Sequence, residues 1–164
     1  MQSEEREKIE KSIEIDAPKE RIWEVLLKDH YFRQWSCAFA PGSYADTDWC
    51  LNSTAEFKGP SEDGLFGKII LSRPHEAITI KYEGVIYNGV KDSEGQEAKK
   101  WAGCLETYHI SETGNNTCLL SISQDTPKRY AHALFSNWDE AMERIKNLAE
   151  GTRDYIEEAS QTSF

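Results

Sequence analysis

Residues 130–150, YAHALFSNWDEAMERIKNLAE, decide the fold of this chain because their apolar side chains follow the period of an α-helix. The apolar residues fall at steps of four, three, four and three, namely at Leu134, Trp138, Ala141, Ile145 and Leu148. Such spacing places them on one face of a helix. A lone amphipathic helix must cover an apolar surface, and the only large one available is a sheet formed by the preceding strands. We therefore expect a long C-terminal helix that lies across a sheet, with a cavity between them.

Short stretches that alternate polar and apolar residues precede this helix and predict a sheet. Turn sequences separate them, as at Gly114-Asn115-Asn116, and no alternation of strands with helices appears, so the sheet should be antiparallel. The polar stretch 88–100 is interpreted as a long exposed loop or the tip of an extended hairpin. The predicted strands are 8–15, 47–50, 53–58, 66–72, 77–86, 101–111 and 117–125.

Two short helices are predicted directly after the first strand, over residues 19–27 and 30–35, because Asp16-Ala17-Pro18 breaks the strand and starts a helix. The expected fold class is α+β: a curved antiparallel sheet of six to seven strands wrapped around a long C-terminal helix. We expect a single domain with its core in residues 8–150. The tail, 152–164, loses the apolar period and is expected to be a helical extension at best.

Composition argues against several classes of function. There are 19 Lys and Arg against 29 Asp and Glu, so the net charge is −10. This acidity argues against a basic surface that would bind nucleic acid or anionic lipid. The longest apolar runs, such as Ile69-Ile70-Leu71, are far too short for membrane insertion. The charged N-terminal residues lack the apolar region of a secretion signal, so a cytoplasmic location is expected.

The four cysteines, Cys37, Cys50, Cys104 and Cys118, form no CxxC pair. In a cytoplasmic chain of this size, buried free thiols are expected rather than disulfides. No histidine stands at ligand spacing beside a cysteine, so neither a metal site nor a cofactor is predicted. The sequence also lacks a GxSxG nucleophile motif and a glycine-rich phosphate loop.

Several segments, taken in order, carry a resemblance to a known superfamily. They are IEIDAP (13–18), RIWEVL (21–26), YFRQW (31–35), GKII (67–70), ETY (106–108) and FSNW (135–138). In this order they resemble the START-like superfamily, also called SRPBCC or helix-grip, and within it the branch of the activator of the heat-shock ATPase homologue. The resemblance spans about residues 8–150 and implies a hydrophobic cavity between sheet and helix. Members use such a cavity for lipids, polyketides, hormones or other apolar ligands, or serve as partners of a chaperone.

Strand parity predicts which polar residues face this cavity. On the last strand Cys118, Leu120, Ile122 and Gln124 share the better core face. A hairpin that turns near Gly114 pairs Ile110 with Cys118, Tyr108 with Leu120 and Glu106 with Ile122, so that Glu106 points inward. If the register slipped by one residue, these side chains would face the opposite side of the sheet. A buried Glu106 would have a raised pKa and could act as a general acid or base. Alternatively, it is solvated at the open end of the sheet or paired with a Lys or Arg.

The leading interpretation is a non-enzymatic protein that binds a small apolar or amphipathic ligand between sheet and helix. The predicted wall is Tyr82, Glu106, Tyr108, Leu120, Ile122, Gln124, Leu134 and Trp138, while Trp49 and Trp101 lie at strand ends where they could rim an opening. One alternative is a cyclase or hydrolase of a hydrophobic substrate that uses Glu106. A second is a chaperone-activating interaction module, which rests on the resemblance alone. A monomer and a homodimer are both compatible with the sequence.

Overall fold

The computed structural model describes residues 5–160 and consists of five helices and eight strands within that range. The helices are α1 Lys19–Leu27, α2 Asp29–Ser36, α3 Gln96–Trp101, α4 Lys128–Glu150 and α5 Ile156–Ser160. The strands are β1 Arg6–Ile15, β2 Tyr44–Asp46, β3 Thr54–Lys58, β4 Gly64–Arg73, β5 Ala77–Tyr87, β6 Val90–Asp92, β7 Leu105–Gly114 and β8 Thr117–Pro127.

All strand pairs are antiparallel, and seven strands follow one another in the order β1-β8-β7-β5-β4-β3-β2. The short β6 pairs with the end of β5 beside this path. The sheet curls, and the 23-residue α4 is the long C-terminal helix. The predicted α+β helix-grip fold, with two short helices after the first strand, is confirmed.

The hairpin of β7 and β8 has the predicted facing but a different register. Glu106 pairs with Gln124, Tyr108 with Ile122 and Ile110 with Leu120, which is two residues from the predicted pairing. The turn lies later than expected, and an irregularity in the pairing falls between Glu112 and Gly114. Because side chains alternate with a period of two, a slip of two residues keeps every side chain on its predicted face.

One predicted strand is not formed, and another begins later than predicted. The stretch 47–50 is a loop in which Trp49 has a φ of 61° and the Asp48 carboxylate accepts a hydrogen bond from the Cys50 amide. The predicted strand 101–111 begins only at Leu105, since Trp101 is the last residue of α3. Gly103, with a φ of 91°, provides the turn between this helix and β7.

The predicted loop 88–100 contains β6 and most of α3. The Asp92 carboxylate accepts hydrogen bonds from the amides of Glu94 and Gly95, which turns the chain into the helix. Ala98 and Trp101, three residues apart, are the buried side of α3. So short and polar a helix has too few apolar positions to be recognised by its period.

Helix α4 is packed differently along its length. In its C-terminal half Ala141 and Ile145 are fully buried and Leu148 nearly so. In its N-terminal half Leu134 is only half-buried, and Phe135 is exposed beneath the Lys11 ammonium. The C-terminal half therefore completes the hydrophobic core, and the N-terminal half stands over a space.

The short helices close one end of this core. The Trp35 indole N–H donates to the carbonyl of Val25 at 3.0 Å, which ties α2 to α1 deep in the interior. After α4, Gly151 in the left-handed conformation ends the helix. The following segment returns to α2, where the Tyr155 amide donates to the Gln34 side chain. The tail does not extend α4 but forms a separate short helix, α5, and residues 161–164 lie outside the described residues.

All four cysteines are free thiols. Cys104 and Cys118 are buried as predicted, whereas Cys50 is exposed in the loop 47–50 and Cys37 is half-buried. Among the helices described, none combines the length and hydropathy of a membrane span.

Candidate functional site

A pocket of about 650 Å³ lies beneath the N-terminal half of α4. Its floor is the concave face of the central strands β5, β7 and β8, and its sides are the α2–β2 loop and the β3–β4 hairpin. The walls are mostly apolar, and ten of the 26 lining residues are aromatic, so bulky rings rather than aliphatic chains dominate the contact surface. Those ten are Phe32, Trp35, Phe39, Tyr44, Phe57, Tyr82, Trp101, Tyr108, Tyr130 and Trp138.

Polar groups gather at one place on the floor, around Glu106. The Tyr82 hydroxyl donates to Oε1 of Glu106 at 2.8 Å, and the Tyr108 hydroxyl donates to Oε2. Glu106 is 6% exposed, and both tyrosines are buried. The sheet explains this geometry, because Glu106 and Tyr108 alternate onto the same face of β7 and Ile80 opposite Glu106 brings Tyr82 to the adjoining position on β5.

A second hydrogen bond joins the floor to the helix. The Trp138 indole N–H of α4 donates to Oε1 of Gln124 at 2.7 Å, and Gln124 is the direct cross-strand neighbour of Glu106. Trp138 also packs edge-on against Tyr108, with ring centroids 6.0 Å apart. The polar cluster of Tyr82, Glu106, Tyr108 and Gln124, here called the floor cluster, is thus held from both the sheet and the helix.

In the floor cluster, one buried carboxyl group is surrounded by neutral hydrogen-bonding groups. Burial raises the pKa of Glu106 above its usual value, while the hydrogen bonds from Tyr108 and Tyr82 oppose that rise. Burial and the nearby carboxyl raise the pKa of both phenols well above their ordinary value, so they remain protonated donors. No Lys, Arg or His within the described residues forms an ion pair with Glu106.

The rim of the pocket carries its other charged residues. Lys58, on the side formed by the β3–β4 hairpin, pairs with Glu56 at 3.0 Å, and Asp63 lies in the same hairpin. On the α3 side the Trp101 and Tyr130 rings stack with centroids 5.7 Å apart. The Tyr130 hydroxyl donates to Glu97 at 2.6 Å. The N-terminal turn of α4 is therefore attached to α3.

The predicted site residues do not all reach the pocket. Six of the eight line it: Tyr82, Glu106, Tyr108, Gln124, Leu134 and Trp138. Leu120 and Ile122 are buried in the core and are not among the lining residues. The alternative placements of Glu106, solvated or paired with a basic residue, are wrong. Of the two rim candidates, Trp101 lines the pocket and Trp49 does not.

Sequence reasoning missed Phe39 in the α2–β2 loop, Tyr44 and Phe57 on the edge strands β2 and β3, and Tyr130 at the start of α4. Strand parity and helical period locate side chains on regular elements, but they give no direction for a side chain in a loop. The one available signal was the aromatic content of the segments on either side of the 40–43 turn. Within residues 5–160 no three His, Cys, Asp or Glu side chains gather closely enough to hold a metal ion.

The architecture is a helix-grip fold, and comparison with solved structures confirms it at the level of the fold. The Aha1 dimer from Colwellia psychrerythraea is 16% identical, with a TM-score of 0.65 over 90% of this chain and 98% of that one. Protein MLL2253 from Mesorhizobium loti is 14% identical, with a TM-score of 0.69 over 90% and 99% of the two chains. CalU16 from Micromonospora echinospora is 16% identical, with a TM-score of 0.61 over 98% and 92%. No protein-family model and no curated protein sequence matches the chain.

Proposed function

We propose that the protein binds a small amphipathic molecule, an apolar body with one polar group, in the pocket beneath α4. The observation that supports this most directly is the combination of a volume of about 650 Å³, mostly apolar walls and a single buried polar cluster. Sites for small molecules have this composition: apolar surface supplies affinity, and a few fixed polar groups supply orientation.

Size and chemistry favour a ligand rather than water as the occupant. Apolar surface removed from water contributes roughly 25 cal/mol per Å² before the costs of association, so an aromatic or aliphatic body gains affinity from these walls. The floor cluster then fixes the polar end, because Glu106 and Tyr108 lie at the inner end of the pocket. The proposed contact residues are Tyr82, Glu106, Tyr108, Gln124, Leu134 and Trp138, with Leu120 and Ile122 packed in the core beside them.

Filling the pocket from the helix side tests the proposal. Leu134→Trp adds bulk at the half-buried wall position of α4, so we expect at least about a fivefold loss in binding of Nile red, a neutral dye that fluoresces in apolar surroundings. The matched control is Leu51→Trp, at a position that is 56% exposed and outside the pocket lining, which should bind the dye as the wild type does.

Equal dye binding by Leu134→Trp and the wild type would contradict the proposed location of the ligand. Native mass spectrometry of the purified wild type gives a second measurement. A co-purifying small molecule that is absent from Leu134→Trp but present in Leu51→Trp would support the proposal.

A second candidate function, acid–base catalysis on a hydrophobic substrate, is favoured by one observation. Glu106 is a buried carboxyl that lines the pocket, and burial raises its pKa, which suits a general acid or base. Once a ligand is known, the two functions separate by Glu106→Gln: turnover of that ligand would be abolished, whereas the apolar part of binding would persist.

A further inference from the structure

Among the described residues, no positively charged group pairs with the Glu106 carboxyl, and its hydrogen-bond partners are two phenols. A buried carboxylate is costly unless it is paired or hydrogen-bonded, and buried acidic groups in proteins usually face a Lys or Arg. Here the titratable groups that face it are Tyr82 from β5 and Tyr108 from β7, both neutral. Gln124 from β8 and Trp138 from α4 complete the surroundings and carry no charge.

The hydrogen bonds of the floor cluster leave acceptors in excess. Both phenolic hydrogens are already donated to Glu106, and the Trp138 N–H is already donated to Gln124. A carboxylate offers about four acceptor sites, and a phenol oxygen that donates can still accept. Apart from the two N–H groups of the Gln124 amide, the unused hydrogen-bonding capacity around Glu106 consists of lone pairs, so acceptors outnumber donors and favour a donor-rich group over an anionic one.

The aromatic walls favour a cation for a separate reason. The rings of Tyr82, Tyr108 and Trp138 all line the pocket close to Glu106, and a cation within about 6 Å of such rings gains from their negative faces. At the rim, the positive charge of Lys58 is offset by the Glu56 carboxylate, which lies 3.0 Å away. The net charge of −10 also attracts cations to the molecule.

We infer that the ligand is a hydrophobic amine, whose protonated ammonium group pairs with Glu106 while its apolar body fills the aromatic pocket. This rests on the proposed function and narrows it, since the same pocket would disfavour hydrophobic acids. An ammonium supplies up to three donors and one positive charge, which matches both the acceptor excess and the isolated carboxylate.

Three probes that share one aromatic body test this inference by isothermal titration calorimetry on the full chain: naphthylethylamine, naphthylethanol and naphthylacetate. At about pH 8 we expect the amine to bind about tenfold more tightly than the alcohol, because its hydrogen bonds to Glu106 are charge-assisted, and the acid to bind most weakly. In Glu106→Gln the amine should fall to within about threefold of the alcohol, since the charge is gone and the side-chain shape is kept.

Glu112→Gln is the matched control. Glu112 is on the same strand, β7, but it is exposed and pairs with Lys19 at 3.3 Å outside the pocket, so this variant should retain the preference for the amine. A preference for the amine that survives in Glu106→Gln would overturn the assignment.

The pH dependence of the wild type keeps the inference testable if Glu106→Gln fails to fold. Burial raises the pKa of Glu106, so as the pH is lowered through that raised pKa Glu106 takes up a proton while the amine stays protonated, and the preference for the amine should shrink. A constant preference contradicts the inference. Equal binding of all three probes also overturns it but leaves the proposed function intact. If no probe and no Nile red binds, the proposed function itself fails.

Discussion

At the scale of the residue, Glu106 is unusual because it is a buried carboxyl whose hydrogen-bond partners are both neutral. Its neighbours on the concave face of the sheet are apolar or neutral, and the two tyrosines that donate to it are held in place by the strands. Fold stability does not need a charge here, since an apolar residue of similar size would avoid the cost of desolvation. The facing of Glu106 and of Tyr108, two residues further along β7, could be predicted from alternation, whereas the approach of Tyr82 depends on the register between β5 and β7, which the sequence does not give.

Glu106→Gln should change how stability depends on pH. The pKa of Glu106 is raised in the folded state, so its contribution to stability is fully present below the ordinary carboxyl pKa and is lost as pH rises through the raised value. Between the ordinary carboxyl pKa and the raised pKa of Glu106, we therefore expect the free energy of unfolding of the wild type to fall relative to that of Glu106→Gln. Urea denaturation of both proteins across pH measures this difference.

Glu97→Gln is a control of opposite sign. Glu97 also accepts a hydrogen bond from a tyrosine, Tyr130, and that bond is the main reason why its pKa is lowered. Its contribution to the free energy of unfolding is present above the ordinary carboxyl pKa and is lost as the pH falls through the lowered pKa of the folded state. The same slope in both variants would show that the assignment of Glu106 is wrong.

At the scale of the element, strand β4 shows what periodicity can and cannot predict. Its apolar alternation indicated a strand, but its two irregularities, between Phe66 and Gly67 and between Ile69 and Leu71, left no mark in that pattern. The first irregularity places Gly67 opposite Tyr82, a member of the floor cluster. Regular amphipathic elements could therefore be located from sequence, while bulges, short polar elements such as α3 and exact registers could not.

Gly67→Ala should be strongly destabilising. A Cβ at this position would lie 2.2 Å from the carbonyl oxygen of Lys81 on β5, so backbone must move. We expect a loss of about 2 kcal/mol or more in the free energy of unfolding, since overpacking against backbone cannot be relieved by a rotamer change. Gly59→Ala, where a Cβ meets nothing within 4 Å, should change it by no more than about 0.5 kcal/mol. Chemical denaturation measures both, and equal effects would contradict the close approach of β4 to β5.

At the scale of the whole molecule, the site is assembled from segments that are far apart in sequence. Floor strands, helix α4 and two loops all contribute, and the sequence predicted the floor and the helix but not the loops. Loop direction depends on tertiary contacts, such as the Ser36 hydroxyl that donates to the carbonyl of Ser43 at 3.1 Å. The chaperone contact and the homodimer remain predictions.

Arg144 joins three distant segments and provides a test at this scale. Its guanidinium donates to the carbonyl of Gln34, pairs with Glu140 and Glu158, and lies 4.4 Å from the centroid of the Tyr155 ring. Arg144→Met retains an apolar stem but removes the donors. We expect a loss of about 1–3 kcal/mol in unfolding free energy and faster proteolysis after α4.

Arg73→Met is the control for this change. Arg73 is exposed and pairs with Glu76 at 3.3 Å across the turn between β4 and β5, away from α2 and the C-terminal segment. Its replacement should cost less than about 1 kcal/mol and leave proteolysis after α4 unchanged. Similar losses in both variants would mean that Arg144 is an ordinary surface cation.

The different packing of the two halves of α4 bears on how the proposed ligand would enter and leave the pocket. The helix is embedded in the core at its C-terminal half and fastened to α3 through Tyr130 at its start, so the span between is fixed at both ends. We therefore expect passage of the proposed ligand on the opposite side, at the 59–63 connection and at the 37–43 connection, which contacts the helix through the Phe39 and Trp138 rings, whose centroids are 4.7 Å apart. For the proposed ligand, we expect these two connections to govern the rate of exchange and the walls behind them to govern affinity.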